Sequence, residues 1–271
     1  LASLSEAATR VAQGDLTVRA QDVAGKGEMA EMVLHFNQMV DGLEDMARER
    51  RATAAAISHE LRTPLTVLRA RLHAICDGVI EADAAESRAL LEQVEYLGRL
   101  VGDLHTLSMA EAGQLSVQLQ RQDLGQLVRE ALAAHADRIA DHGMRLEQSL
   151  PPASQVTMVQ VDADRVRQIL FNLVENALRH ARSGGWIGVA IETVGPDVAL
   201  QVRDAGPGLS KDMLERPFRR FAHAPDERKE GSGLGLSIVQ ALALRQGGRV
   251  EVTNRPQGGT CFSVLFPRAP A

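Results

Sequence analysis

Aromatic residues make up only 3% of the 271 positions, so platforms for stacking nucleic-acid bases are scarce. Positive charge is not in excess either. Thirty Lys plus Arg face 35 Asp plus Glu, and the resulting formal net charge of −5 argues against nucleic acid as a partner. Only two cysteines occur, Cys76 and Cys261, with no CxxC or Cys/His cluster. That excludes a disulfide framework and a zinc site of the usual spacing, and fits a reducing compartment. No apolar run approaches the roughly 18 residues of a membrane span, and no signal peptide is visible. What is present is an ordinary globular balance, 45% hydrophobic and 24% charged. At roughly 150 residues per domain the length suggests two domains. The chain opens at Leu1, without Met and within a helical pattern, and reads as a piece of something longer.

Composition shifts near residue 122, from Ala-, Leu-, Glu- and Arg-rich helical sequence to alternating strand and helix signals punctuated by glycine. Residues 1–13 read as a helix that breaks at Gly14-Asp15-Leu16. Met29, Met32, Phe36, Met39, Leu43 and Met46 then recur in alternating steps of three and four, a heptad seam. Polar Arg50 and Thr53 interrupt it. Apolar spacing resumes at Ile57, Leu61, Leu65, Leu68, Leu72 and Ile75, where consecutive four-residue steps shift the phase. Asp77-Gly78 breaks that helix, and a second seam runs Leu90, Val94, Leu97, Val101, Leu104. Two long helices with a short connection make a helical hairpin, and a dimeric four-helix bundle buries its remaining apolar faces. Residues 111–122 read as a linker. Beyond them, helices are expected near 123–142, 162–182 and 232–246, and strands over 145–150, 156–161, 187–194, 198–203, 249–254 and 260–266. The expected fold there is a two-layer α/β sandwich with a mixed sheet and helices on one face.

Four constellations carry chemistry. Ser58-His59-Glu60-Leu61-Arg62-Thr63-Pro64-Leu65 puts a proline inside a helix, which removes a hydrogen bond and costs about 3 kcal/mol. Ile57 and Leu61 lie on the core face, so His59 points outward as a candidate nucleophile, with Glu60 beside it as a proton acceptor. A solitary exposed histidine is ordinarily inert, and only its surroundings distinguish this one. In Phe171–His180, the residues Asn172, Glu175, Asn176, Arg179 and His180 share one helical face. Their carboxamide and carboxylate oxygens suit Mg²⁺, and Arg179 suits phosphate; the plain alternative is a solvated polar face.

Asp204-Ala205-Gly206-Pro207-Gly208-Leu209 follows a strand, and Gly231-Ser232-Gly233-Leu234-Gly235-Leu236-Ser237 leads into a helix. Glycines let backbone N–H groups close on an anion at a helix N-terminus. The spacing is neither a Walker loop nor the dinucleotide GxGxxG, and the protein-kinase motifs are absent. Arg216–Glu230, with Phe218 and Phe221 as anchors, suits a lid over a ligand. Gly258-Gly259-Thr260 precedes the last strand.

In this order and spacing the sequence resembles a bacterial sensor histidine kinase of two-component signalling. SHELRTPL resembles the H box, FNLVENALRHA the N box, DAGPGL the first glycine box, RPFRRF the F box and GSGLGLS the second glycine box. GDL with the methionine seam resembles the later part of a HAMP signal-relay module. The resemblance covers essentially the whole chain. It implies a truncated HAMP module over 1–47, a dimerisation and histidine-phosphotransfer hairpin over 48–110, the linker 111–122 and a catalytic ATP-binding domain of Bergerat fold over 123–271.

The resemblance also implies roles. His59 is the phosphoacceptor, Glu60 its general base, and Thr63 positions water for dephosphorylation of the partner. Asn176 ligates the Mg²⁺ that bridges the ATP phosphates, supported by Asn172 and Glu175, and Arg179 contacts phosphate. Asp204 accepts a hydrogen bond from the adenine amino group. Gly206, Gly208, Gly231, Gly233 and Gly235 let backbone wrap the nucleotide. His180, Leu209, Phe218, Arg220, Ser232, Leu234, Leu236 and Thr260 complete the nucleotide site. ATP and Mg²⁺ are the implied cofactors, and a second copy and a response-regulator receiver domain the implied partners, with no nucleic acid. The parent is expected to be membrane-anchored, with this portion on the cytoplasmic side of a bacterial inner membrane.

Ala222 and His223 depart from the aromatic and Arg that many relatives carry after the F box, so Arg219 or Arg220 is the substitute for any transition-state role there. Two rivals differ in class. ATPases of the gyrase, MutL and heat-shock-chaperone superfamily share the glycine boxes but lack the helix bearing SHELRTPL. The other rival is a signal relay or phosphatase-dominant sensor without effective kinase activity.

Overall fold

The computed structural model describes residues 2–21, 27–181, 184–221 and 232–269. The chain divides into two compact units, residues 1–81 and 82–271. In the first, α1 (Ala2–Ala12) ends just before Gly14, whose φ of 94° makes the sharp turn that the GDL break requires. The connector after it is held to α2 (Glu28–Cys76) by side chains. The Asn37 carboxamide accepts from Ala20 N (2.9 Å) and donates to Ala20 O (3.1 Å), and Arg19 bridges Asp41 and Glu44 at 2.7 Å each.

The small core here joins Ala7, Ala20 and Val33 with Leu4, Val18 and Phe36. The intrachain core uses a stripe of α2 beside the methionine seam, with which it shares Phe36. The stripe facing the connector runs through Val33 and the fully buried Val40, whereas Met32, Met39 and Met46 are 51%, 52% and 60% exposed. α2 runs unbroken past Arg50 and Thr53 and through the buried Pro64, and it closes at Cys76, where Gly78 turns with φ of 70°.

The second unit begins with α3 (Ala84–Glu111), capped by Asp83, which accepts from Glu86 N at 2.7 Å. Its C-terminal half buries Leu100, Thr106 and Leu107 and packs on α8 (Gly235–Arg245). The turn beyond it is fastened to α8, because Arg245 donates to the carbonyls of Gly113 and Leu115, the latter at 3.1 Å. Burial pushes the Asp103 carboxyl up to about 6, against the pull of Arg99. A raised carboxyl favours the folded state while protonated, and that contribution is lost as pH rises towards the folded value. Asp103→Asn is therefore expected to add about 1 kcal/mol of stability at neutral pH, after discounting for solvent screening, and nothing in acid. Thermal unfolding across that pH range checks it.

Two sheets follow. β1 (Gln120–Asp123) pairs antiparallel with β3 (Met158–Val161), so the segment read as a linker ends in a strand. The larger sheet has the order β2 (Arg145–Ser149), β4 (Trp186–Val194), β5 (Asp197–Asp204), β7 (Thr260–Pro267), β6 (Arg249–Asn254). β2 runs parallel to β4 and every other neighbour is antiparallel, which is the expected mixed sheet.

The single helix expected over 123–142 is two, α4 (Leu124–Ala133) and α5 (Ala136–Asp141). α6 (Ala163–His180) is capped by Asp162, which accepts from Asp164 N and Arg165 N. α6 buries Val166, Ile169, Leu170, Leu173, Val174, Ala177 and Leu178 at 3.6-residue periodicity. Each large side chain among them contributes roughly 1.5–3 kcal/mol. α6 packs on α4, α8, β4 and β5, and α8 on β6 and β7. A five-residue helix, α7 (Lys211–Glu215), starts at the Ser210 cap and was not legible in the sequence.

Candidate functional site

The burial of α6 leaves a polar stripe half-exposed, made of Asn172, Glu175, Asn176, Arg179 and His180, the face that periodicity implied. Asn172 Nδ2 donates to Gln168 O at 2.9 Å, which turns its amide oxygen towards the second glycine stretch. A Cβ built on Gly235 would lie 3.1 Å from that oxygen. Glu175 Oε2 pairs with Arg138 of α5 at 2.8 Å, whereas Oε1 is buried without a hydrogen-bond partner among the described residues. Beside it, the His135 ring lies tilted by 44° against Phe171, centroids 5.5 Å apart, and burial holds its imidazole below the ordinary range, partly opposed by the Glu175 carboxylate. A lone buried oxygen next to two amides suits a hard cation.

At the C-terminal end of β5, Asp204 is 3% exposed. Its Oδ1 accepts from Gly206 N (2.8 Å) and Thr260 N (3.2 Å), which leaves Oδ2 for a ligand. The surrounding backbone is too close for side chains. A Cβ on Gly206 would lie 2.7 Å from His180 O, and one on Gly259, whose φ is +88°, would lie 2.0 Å from Asp204 O. N box, first glycine box and the start of β7 therefore meet at Asp204. Gly208 and Leu209 are half-buried, and Thr260 is buried.

Leu234 caps α8 and is fully buried. Its N–H donates to Ser232 Oγ at 3.3 Å, and its carbonyl accepts from Ser237 Oγ at 2.7 Å. Gly233, Gly235 and Leu236 are half-buried around it. Phe221, the one non-glycine residue with positive φ (55°) among the described residues, donates its N–H to Gly233 O at 3.0 Å. The expected lid residues Ala222 and His223, and Gly231, lie outside the described residues. Phe218 is half-buried, and Arg220 forms an ion pair with Glu111 at the end of α3, a partner the sequence did not suggest.

In the first unit, His59 and Thr63 are exposed and Glu60 is half-buried on α2. Thr63 Oγ1 donates to His59 O at 3.3 Å, so the hydroxyl is held on the turn that carries the imidazole.

A buried carboxylate braced by amides, glycine loops around it and an oxygen-rich helix face define a nucleotide-binding unit of two-layer α/β fold. One chain joins it to a histidine-bearing helix. Residues 161–270 match the family described as histidine kinase-, DNA gyrase B- and HSP90-like ATPases. Residues 49–113 match the His Kinase A phospho-acceptor domain, and residues 1–45 the HAMP domain.

The chain is 38% identical over 261 residues to the signal transduction histidine-protein kinase BaeS of Escherichia coli, covering 95% of this chain and 55% of BaeS. It thus spans about half the length of the curated relatives it matches. The solved histidine kinase AdeS of Acinetobacter baumannii is 32% identical with a TM-score of 0.66, covering 78% of this chain and 98% of that one. Full-length ShkA, solved in complex with AMPPNP, is 27% identical with a TM-score of 0.56, covering 81% of this chain and 47% of ShkA. The chain belongs to the bacterial two-component sensor histidine kinases. No helix among the described residues is long and apolar enough to cross a membrane.

Proposed function

We propose that this chain uses ATP to phosphorylate His59 and passes the phosphoryl group to an aspartate of a response-regulator receiver domain. The observation that carries the reading is one chain holding both halves of the chemistry. It has an outward-facing histidine on a long helix and a buried, amide-braced Asp204 in a nucleotide fold.

Asp204 Oδ2 accepts from the adenine amino group, which fixes the base. The N–H groups at the start of α8 and the Arg179 guanidinium meet phosphate oxygens. Asn176, with Asn172 and Glu175, would hold Mg²⁺, which supplies charge neutralisation to the phosphates. One His59 ring nitrogen attacks the γ-phosphorus. The N–P bond forms, the bond to the β–γ bridging oxygen breaks, ADP leaves, and Glu60 takes the ring proton.

The parent is membrane-anchored with this portion cytoplasmic, and it works as a homodimer. Exposed apolar residues seven apart support the dimer: Met32, Met39 and Met46, then Leu65 and Leu72, then Val94 and Val101. Incubation with γ-labelled ATP tests the kinase reading. Acid-labile, base-stable label on the protein is expected, and its absence overturns the reading.

The same turn of α2 serves the reverse reaction. Thr63 positions water against the phosphorylated receiver, because its hydroxyl sits one turn beyond His59. Thr63→Ala is expected to slow dephosphorylation of the receiver by roughly tenfold or more while autophosphorylation changes by no more than about twofold, in keeping with the usual weight of one positioning group. Equal loss of both activities would point to a structural role beside Pro64.

A further inference from the structure

Two consecutive residues at the end of β6 grip opposite ends of the loop that carries Asp204. Asn254 treats Leu209 as a strand neighbour would: its Oδ1 accepts from Leu209 N at 2.8 Å, and its Nδ2 donates to Leu209 O at 2.7 Å. Arg255 Nη1 donates to Asp204 O at 2.7 Å and more weakly to Gly258 O at 3.3 Å.

The guanidinium is itself fixed. It lies over the Trp186 ring, 4.4 Å from the centroid, and the indole N–H is anchored on Glu147 Oε2 at 2.6 Å. The Arg255 backbone is pinned as well, its N–H donating to Gly259 O at 2.9 Å. Gly259 is the residue that leaves no room for a Cβ beside the Asp204 carbonyl. Four strands thus converge on one peptide group, through Glu147 (β2), Trp186 (β4), Arg255 (after β6) and Asp204 (β5).

A glycine-rich loop is ordinarily among the most mobile parts of a fold. Base discrimination needs the opposite. Adenine offers an amino donor where guanine offers a carbonyl, and a carboxylate separates them only if it cannot swing aside. We propose that Asn254 and Arg255 are the positioning residues that hold the Asp204 loop rigid, and that they set the selectivity of the site for adenine over guanine nucleotides. This rests on the reading of Asp204 as the base-recognising carboxylate. Neither residue touches the nucleotide. Arg255 acts through the Asp204 peptide and Asn254 through the Leu209 peptide.

The test is titration of the full chain and its variants with ATP and with GTP, alongside thermal unfolding and autophosphorylation kinetics. Arg255→Ala and Asn254→Ala are each expected to lower the ATP-to-GTP affinity ratio by roughly tenfold, the worth of one charge-assisted or two neutral hydrogen bonds. KM for ATP should rise with it, while kcat at saturating ATP stays within about twofold, because the phosphoryl chemistry is untouched. Arg255→Lys, which keeps a donor for the Asp204 carbonyl, should recover most of the ratio. Arg249→Ala, on the same strand but paired with Asp197 and Glu251, should leave it unchanged.

A wild-type ratio in both Arg255→Ala and Asn254→Ala overturns the proposal. So does an equal loss of ATP and GTP affinity that tracks a fall in thermal midpoint, which marks a merely structural role. A different result would remove the underlying reading: Asp204→Asn binding ATP as tightly as wild type.

Discussion

His59→Gln is expected to take up no phosphate from ATP while binding ATP with wild-type affinity. Glutamine keeps the length and polarity of the side chain but has no nitrogen lone pair able to attack phosphorus. The site is exposed on α2, so the substitution buries or uncovers little surface. Exposed substitutions away from special features usually change stability by less than about 0.5 kcal/mol, and the helix should persist. In the proposed reading nucleotide affinity is set elsewhere, on α6, the end of β5 and the start of α8. The two functions therefore separate cleanly, with phosphate incorporation at background and an unchanged titration. Incorporation at the normal rate by the variant would show that another residue is the acceptor.

The sequence disclosed features that are local in the chain. Six strands and α6 and α8 follow from periodicities of two and 3.6, which are written within ten or twenty residues. The polar stripe of Asn172 to His180 is legible for the same reason. β1 was hidden because its four residues, Gln120 to Asp123, are all polar and read as a linker. The division between α4 and α5 was hidden because the Ala-rich sequence around Ala134 carries no glycine or proline. The methionine seam told only part of α2. Two adjacent apolar stripes run along α2, and spacing alone does not say which one faces the chain's own connector; Val33 and Val40 do.

Asn254 and Arg255 escaped notice for a stronger reason. Their partners Leu209 and Asp204 lie 45 and 51 positions away, in the loop after β5 and at the end of that strand, brought close only by the order β5-β7-β6. Arg220 shows the same limit, since its neighbours in sequence suggest phosphate and its neighbour in space is Glu111.

Asp204→Asn is expected to weaken ATP binding by at least roughly tenfold while the dimer and the fold persist, because hydrogen bonds to a charged partner are worth about 1.5–3 kcal/mol. The physical reason lies in how the carboxylate is used. It is acceptor-only, with two donors already on Oδ1, from Gly206 N and Thr260 N, and in the proposed reading the adenine amino group is the third, on Oδ2. Asparagine has one acceptor oxygen and one NH₂. If its oxygen serves the two backbone donors, the NH₂ faces the adenine amino group, donor against donor. If the amide flips to serve adenine, two buried N–H groups lose their acceptor and the loop pays the desolvation instead. Both arrangements cost binding, and the second also lowers stability, so calorimetric titration and thermal unfolding together tell which one the variant adopts. The same geometry predicts relief for guanine, whose C6 carbonyl accepts from the new NH₂. GTP should therefore gain on ATP in Asp204→Asn, and an unchanged affinity for ATP would sink the assignment of Asp204 to the base.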